Sequence, residues 1–140
     1  HVIAPPSAAR ALRSLAQNLF ISVASFAQRA GIAALAHGDA TVAELRTAYA
    51  LRRQVLVRGL AELGFGVPVL PRGAFYVFAD ARCFGADSRA LAGRILERAQ
   101  VAVTPGVDFG AAGEGWLRFS CTATEPDLRE ALARIAPVLL

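Results

Sequence analysis

The chain has 140 residues, enough for one domain with a buried core, and 55% of them are hydrophobic. Its formal net charge is +4, and all fifteen basic residues are arginines that occur singly or as the one pair Arg52-Arg53. A nucleic-acid-binding surface needs basic residues clustered on one face, so we predict no nucleic-acid partner. The longest uncharged stretch, residues 14–28, is interrupted by polar side chains and is too short for a membrane span.

The few cysteines and histidines limit the chemistry that the chain can perform alone. Cys83 and Cys121 form no CxxC motif and no disulfide framework, which predicts two buried thiols in a cytoplasmic protein. Cys121 has no histidine placed to activate it, so we interpret it as a core thiol. With only His1 and His37, neither a metal site nor a Ser-His-Asp triad is predicted.

The first two predicted elements are helices. Pro5-Pro6-Ser7 is typical of a helix start with Ser7 as the N-cap, and this helix is predicted to end near Leu19. A second helix is predicted from Ser22 or Ser25 to Ala36. Its many alanines suit close packing against a neighbouring element.

A long third helix follows. Thr41 and Glu44 match the Thr-x-x-Glu capping box, which satisfies exposed N–H groups at a helix start. Apolar residues then keep the helical period to about Leu63, and Gly64 supplies a C-terminal stop.

The remaining chain alternates between predicted strands and helices. Turn residues and helix caps separate these elements. The predicted elements are a strand pair within 65–81 joined at 71–73, a helix from Asp87 or Ser88 to Ala99, strands at 101–103 and 116–121, and a helix from Thr124 to about Ala136.

This order predicts a two-layer α/β (α+β) fold, in which a small mixed sheet carries helices on one face. The all-helical start has no sheet of its own and is expected to pack in another layer of a larger protein. We therefore divide the chain into a helical segment, 1–37, a long connecting helix, 38–64, and an α/β domain, 65–140.

Arg118 is unusual because it stands inside the apolar strand Trp116–Cys121. A guanidinium in such a place is costly to desolvate unless it is paired, and its planar fork suits a carboxylate or a phosphate. It could form an internal salt bridge, or it could bind a substrate anion. The preceding loop, with Pro105-Gly106 and Gly110, would let backbone approach a ligand closely.

Five segments in order resemble the C-terminal part of class I/II (fold-type I) pyridoxal-phosphate aminotransferases. The segments RGAFYVFAD, VAVTPGVDFG and WLRFSCT are similar to the strand, loop and arginine strand of those enzymes. NLFISVASFAQRAGIAAL resembles the segment that follows the cofactor lysine. VIAPP resembles the stretch just before that segment, and the lysine of those enzymes lies upstream of both. The resemblance covers essentially the whole chain, and the order of the motifs makes it specific.

The resemblance implies roles for individual residues. Arg118 would hold the α-carboxylate of the amino-acid substrate, and Phe109 and Gly110 would belong to the loop that closes over the site. Ser25 would come near the cofactor phosphate, often that of the partner subunit, whereas from the residues alone it is a helix cap. Tyr76 or Phe75 would lie where the small domain packs. From the residues alone, the two aromatic side chains are predicted to form a pair in the core of the sheet.

The family implies a cytoplasmic homodimer that uses pyridoxal 5'-phosphate to move amino groups between amino acids and 2-oxo acids. The lysine that attaches the cofactor is absent, because the chain contains no lysine, so the chain alone is expected to carry no catalytic residue and to be inactive. Two alternatives remain: the effector-binding or dimerisation domain of an aminotransferase-like transcription regulator, and a fold-type I β-lyase.

Overall fold

A computed structural model describes residues 2–140, so His1 lies outside the described residues. The chain forms two compact units, one ending at Ala43 and the other covering Glu44–Leu140. The first unit contains helix α1, Pro6–Phe20, helix α2, Ser25–His37, and the start of helix α3, Asp39–Glu62. Neither α1 nor α2 has a buried residue.

Two predicted helix starts in the first unit are wrong. Helix α1 begins at Pro6 with Pro5 in the N-cap position, so Ser7 lies inside the helix. Helix α3 begins at Asp39, which places Thr41 of the predicted capping box inside the helix as well. Helix α3 starts early because Gly38 alone links it to α2. The N–H of Gly38 donates to the carbonyl of Ala34 at the end of α2, and its carbonyl accepts from the N–H of Val42 in the first turn of α3.

The end of α3 is as predicted. The N–H of Phe65 donates to the carbonyl of Leu60, and the N–H of Gly64 donates to the carbonyl of Ala61, each at 3.0 Å. Gly64 has a φ of +96°, a left-handed conformation that favours glycine. These two bonds form a Schellman motif that satisfies the last helix carbonyls.

Three strands form the sheet: β1, Tyr76–Asp80, β2, Thr104–Pro105, and β3, Trp116–Ser120. Their order is β1-β3-β2, and both pairings are antiparallel. The predicted α/β fold class is confirmed, although this sheet is antiparallel rather than mixed.

Two details of the predicted strands are wrong. The first strand of the predicted pair, residues 65–70, pairs with the sheet only through a bridge between Gly66 and Asp80. Pro68 and the following Pro71 have no N–H to donate to a ladder. The strand expected at 101–103 is not formed there, and the strand of this region is β2, at Thr104–Pro105.

Two capped helices complete the second unit. Helix α4, Ser88–Ala99, is capped by Asp87, whose carboxylate accepts from the N–H of Ala90 at 2.9 Å. Helix α5, Glu125–Leu139, is capped by Thr124 and continues past the predicted end at Ala136.

One face of the sheet is buried. Val77 and Ala79 of β1 alternate with outward residues, as do Leu117 and Phe119 of β3. They share one core with apolar side chains of three helices: Leu56, Leu60, Leu91, Ile95, Leu128 and Ile135. Cys121 is fully buried in this core, as predicted, whereas Cys83 is exposed and its predicted burial is wrong.

We expect Leu117→Ala to lower the free energy of unfolding of the second unit by about 2–5 kcal/mol, since Leu117 has no exposed surface and its truncation leaves a cavity. Urea titrations followed by the fluorescence of Trp116, the one tryptophan, would measure it. Leu96→Ala is the matched control, because Leu96 is 51% exposed on α4. Equal losses at the two positions would contradict this burial pattern.

Candidate functional site

The opposite face of the sheet carries a different set of side chains. Tyr76 and Phe78 of β1 and Trp116 and Arg118 of β3 alternate with the core residues and remain partly exposed. Phe78 and Thr104 stand directly across from Arg118 on the two neighbouring strands. We call this surface the open face.

Arg118 is held by two rings and one hydroxyl. Its guanidinium carbon lies 4.0 Å from the ring centre of Tyr76 and 4.7 Å from that of Phe109, both within the range of cation–π attraction. Its Nη2 donates to Oγ1 of Thr104 at 3.2 Å. Its Nε is buried and has no hydrogen-bond partner among residues 2–140.

Arg118 has no carboxylate partner within the described part of the chain. Three ion pairs occur there, Asp80–Arg82, Asp108–Arg89 and Glu125–Arg129. The internal salt bridge that the sequence left open for Arg118 is therefore not formed among residues 2–140.

Aromatic side chains extend the open face beside Arg118. The rings of Phe78 and Trp116 are stacked, with centres 5.3 Å apart and planes 6° apart, and Phe109 meets Phe78 edge-on at 6.1 Å. These rings and the 68–71 segment border an open pocket of about 550 Å³. Its lining residues are Pro68, Val69, Pro71, Tyr76, Phe78, Phe109, Trp116 and Arg118.

The loop that carries Phe109 is fixed by close backbone packing. A Cβ on Gly106 would collide with the carbonyl oxygen of Gly113 and lie 2.7 Å from that of Trp116, so only glycine fits there. Gly110 has a φ of +110°, which a residue with a side chain rarely adopts. The glycines of this loop therefore allow its backbone conformation, and that conformation places the ring of Phe109 next to the guanidinium of Arg118.

Helix α4 anchors the same loop through polar contacts. Oε1 of Glu114 accepts from the N–H of Ser88 at 2.7 Å and from that of Gly115 at 2.9 Å. The Ser88 hydroxyl accepts from the N–H of Val107 at 3.4 Å. The backbone hydrogen bond from Ser88, more than any other contact, lowers the pKa of Glu114. Its carboxylate thus stays ionised at the positive end of α4.

The structure brings some of the predicted site residues together. Arg118 and Phe109 are in contact, and Gly110 follows Phe109 directly. Phe75 and Tyr76 pack on each other with ring centres 4.5 Å apart, but each is 36% exposed, so the prediction of a sheet-core pair is wrong. Tyr76 faces outward because the next residue of β1, Val77, occupies the core side of the sheet.

Ser25 is the first residue of α2, in the first unit. Ala24 occupies the N-cap position, and no side chain caps this helix, so the prediction that Ser25 is a helix cap is wrong. The helix begins one residue earlier than a serine cap would require.

Sequence reasoning missed Thr104, Trp116 and Glu114. The alternation of β3 could have placed Trp116 beside Arg118, because residues two apart share a face. Thr104 depends on the register between β2 and β3, and Glu114 on the fold of the loop. No local pattern reveals either contact.

Comparison with known proteins identifies the family. The family model described as "Aminotransferase class I and II" matches residues 1–135. The chain belongs to this family. Its members are pyridoxal-phosphate enzymes, and residues 1–135 make up nearly the whole chain.

Individual relatives agree with this assignment. An aspartate aminotransferase of Pyrococcus horikoshii is 37% identical over 141 residues, covering 99% of this chain and 36% of that protein. An aspartate/prephenate aminotransferase of Thermus thermophilus is 40% identical over 138 residues, covering 96% and 35%. The chain therefore spans about a third of the length of these curated relatives.

A solved structure shows the same fold. The aspartate aminotransferase from Thermus thermophilus with maleate superposes with a TM-score of 0.82 at 39% identity. The match covers 96% of this chain and 35% of that one. Within residues 2–140, no helix is long and apolar enough to cross a membrane, and no three His, Cys, Asp or Glu side chains are grouped to hold a metal ion.

We expect the contacts of Glu114 that anchor the loop to weaken in acid. Because folding lowers the pKa of Glu114, its ionised form stabilises the fold above the ordinary glutamate pKa of about 4.3. That stabilisation is lost as the pH falls through the lower folded value. The melting temperature should therefore drop between pH 5 and pH 3, and less steeply in Glu114→Gln, whose amide does not titrate.

The exposed Glu130 on α5 provides the control, since Glu130→Gln should leave the acid profile of the unaltered chain in place. Asp80, whose pKa is lowered mainly by its hydrogen bond from Arg82, adds an acid-dependent loss of stability that is common to all variants. Identical acid profiles for Glu114→Gln and the unaltered chain would show that Glu114 does not anchor the loop.

Proposed function

We propose that this chain is the C-terminal part of a pyridoxal-phosphate-dependent aminotransferase that moves an amino group between an amino acid and a 2-oxo acid. Residues 1–37 would belong to the large cofactor domain, residues 38–64 to the connecting helix, and residues 65–140 to the small domain. The whole protein would act as a cytoplasmic homodimer.

The observation that supports this proposal most strongly is the state of Arg118. A partly buried guanidinium lies in an apolar pocket with no carboxylate partner among residues 2–140. Among residues 2–140, only one of its N–H groups is used, in the hydrogen bond to Thr104. The group is therefore suited to receive a carboxylate from a ligand, and every amino acid and 2-oxo acid carries one.

The residues of this chain do not fit covalent attachment of the cofactor, which requires a lysine amine, and the chain contains no lysine. The attachment site would lie in another part of the whole protein. When bound, pyridoxal phosphate supplies an electron sink for breaking bonds at the substrate α-carbon. Ser25, near the start of α2, is proposed to approach its phosphate.

Arg118 would act by binding and orientation. A bidentate carboxylate contact fixes two substrate oxygens, which restricts how the α-carbon is presented to the reacting group. Phe109 and Gly110, in the loop above the guanidinium, would exclude water and so strengthen the ionic contact. The apolar pocket surrounding the cation would also disfavour water.

We expect Arg118→Ala in the whole protein to lower kcat/KM by about two to three and a half decades. The variant removes two charge-assisted hydrogen bonds, each worth about 1.5–3 kcal/mol, and we take their joint loss as about 3–5 kcal/mol because such contributions are not fully additive. Arg118→Lys should recover only part, because an ammonium lacks the planar fork. Steady-state assays would use L-aspartate or L-phenylalanine with 2-oxoglutarate, choosing the better donor.

Arg134→Ala removes an exposed arginine of α5 and should leave kcat/KM unchanged. Absorbance of the bound cofactor and the melting temperature should be the same in all variants. A wild-type kcat/KM in Arg118→Ala, combined with a strongly lowered melting temperature, would instead make Arg118 a structural residue of the sheet.

The 140-residue chain alone should have no aminotransferase activity. After incubation with pyridoxal phosphate and borohydride, intact mass spectrometry should show no adduct on any side chain, because no lysine is present. Peptide mapping would separate any modification of the N-terminal amine. A stoichiometric side-chain adduct would overturn the proposal that cofactor attachment lies elsewhere.

A further inference from the structure

Thr104 is the one side chain of the described residues that contacts the guanidinium of Arg118 through a hydrogen bond. The two residues are directly opposite in the antiparallel pairing of β2 and β3, so their side chains share the open face. The hydroxyl oxygen accepts from Nη2 at 3.2 Å. This contact differs in kind from those of the two rings.

The rings and the hydroxyl constrain different motions of the guanidinium. Cation–π attraction depends on how close the cation is to the ring face and tolerates rotation about the ring normal. A hydrogen bond is directional and weakens steeply when its angle is poor. Tyr76 and Phe109 therefore hold Arg118 near the sheet, and Thr104 is suited to set its rotation.

Thr104 is itself held rigidly. Pro105 follows it and disfavours helical backbone at the preceding residue, and the β-branched side chain of threonine restricts χ1. Beyond Pro105, Gly106 packs on the backbone of Gly113 with no room for a Cβ. The hydroxyl therefore stands at a fixed place relative to β3.

We infer that Thr104 is a positioning residue, which rests on the proposed function of Arg118 as the carboxylate-binding group. Of the five N–H donors of a guanidinium, the hydroxyl occupies one on Nη2. One further N–H on Nη2 and two on Nη1 remain. Nε is buried, so the substrate carboxylate meets the ends of the guanidinium, with one oxygen on Nη1 and the other on Nη2.

The test compares Thr104→Val, which keeps the shape but loses the hydroxyl, with Thr104→Ser, which keeps the hydroxyl. In the whole protein with its cofactor, Thr104→Val should raise KM for both amino acid and 2-oxo acid and lower kcat/KM by about three- to tenfold. Thr104→Ser should stay within about twofold of the unaltered protein. Thr122→Val is the matched control, since that exposed hydroxyl bonds Ser120 instead.

A double-mutant cycle separates positioning from a general structural role. In an Arg118→Ala background, Thr104→Val should have no further effect on kcat/KM, because the group that it orients is gone. A three- to tenfold loss that persists in that background would overturn the inference, as would equal losses in the Val and Ser variants. Melting temperatures that match across the variants would exclude simple destabilisation.

The outcomes distinguish the two proposals. If Arg118→Ala lowers kcat/KM strongly but Thr104→Val leaves it unchanged, the positioning role is wrong and the proposed function stands. If Arg118→Ala itself has no effect, the proposed function fails first.

Discussion

The antiparallel register between β1 and β3 is the constraint on which the rest of the second unit depends. Side chains alternate with a period of two, so this register sends Val77 and Leu117 into the core and Phe78 and Arg118 to the open face. A slip of one residue would bury the guanidinium and expose the leucine. The hydrophobic core therefore determines where the charged group stands, and the site inherits its geometry from the packing beneath it.

The loop between β2 and β3 connects the core to the open face. Ser88 is almost fully buried at the start of α4, where its N–H donates to Glu114 and its hydroxyl accepts from Val107. These contacts hold the loop near both ends, and the close approach of Gly106 to Gly113 brings the two ends together. Phe109, in the same loop, is 54% exposed, so anchoring by the backbone rather than burial of the ring keeps it near Arg118.

Local chemistry explains which parts of this fold could be predicted. The stop at Gly64 and the cap Thr124 depend on residues within one helical turn and were predicted correctly, and Asp87 is one of the two caps predicted for α4. The starts at Ser7 and Thr41 failed because Pro5 and Gly38 begin those helices earlier. The predicted strand before β1 failed because its prolines limit pairing. The apolar stretch around Arg118 indicated that this residue has an unusual place. Its neighbours come from other strands and loops, and no local pattern specifies how those pack against it.

The contacts that offset the desolvation cost of the Arg118 charge also determine whether its N–H donors can bind a ligand. A resident carboxylate would offset the cost of desolvation, but it would also occupy the N–H donors that an incoming carboxylate needs. The ring faces of Tyr76 and Phe109 offset part of that cost, about 0.5–2 kcal/mol each, and use none of those donors. A single hydroxyl uses only one. The sheet thus carries a cation that is held in place yet left electrostatically incomplete, and a ligand carboxylate would complete it. A purely structural arginine would gain more from a partner such as Asp80, which is instead paired with Arg82.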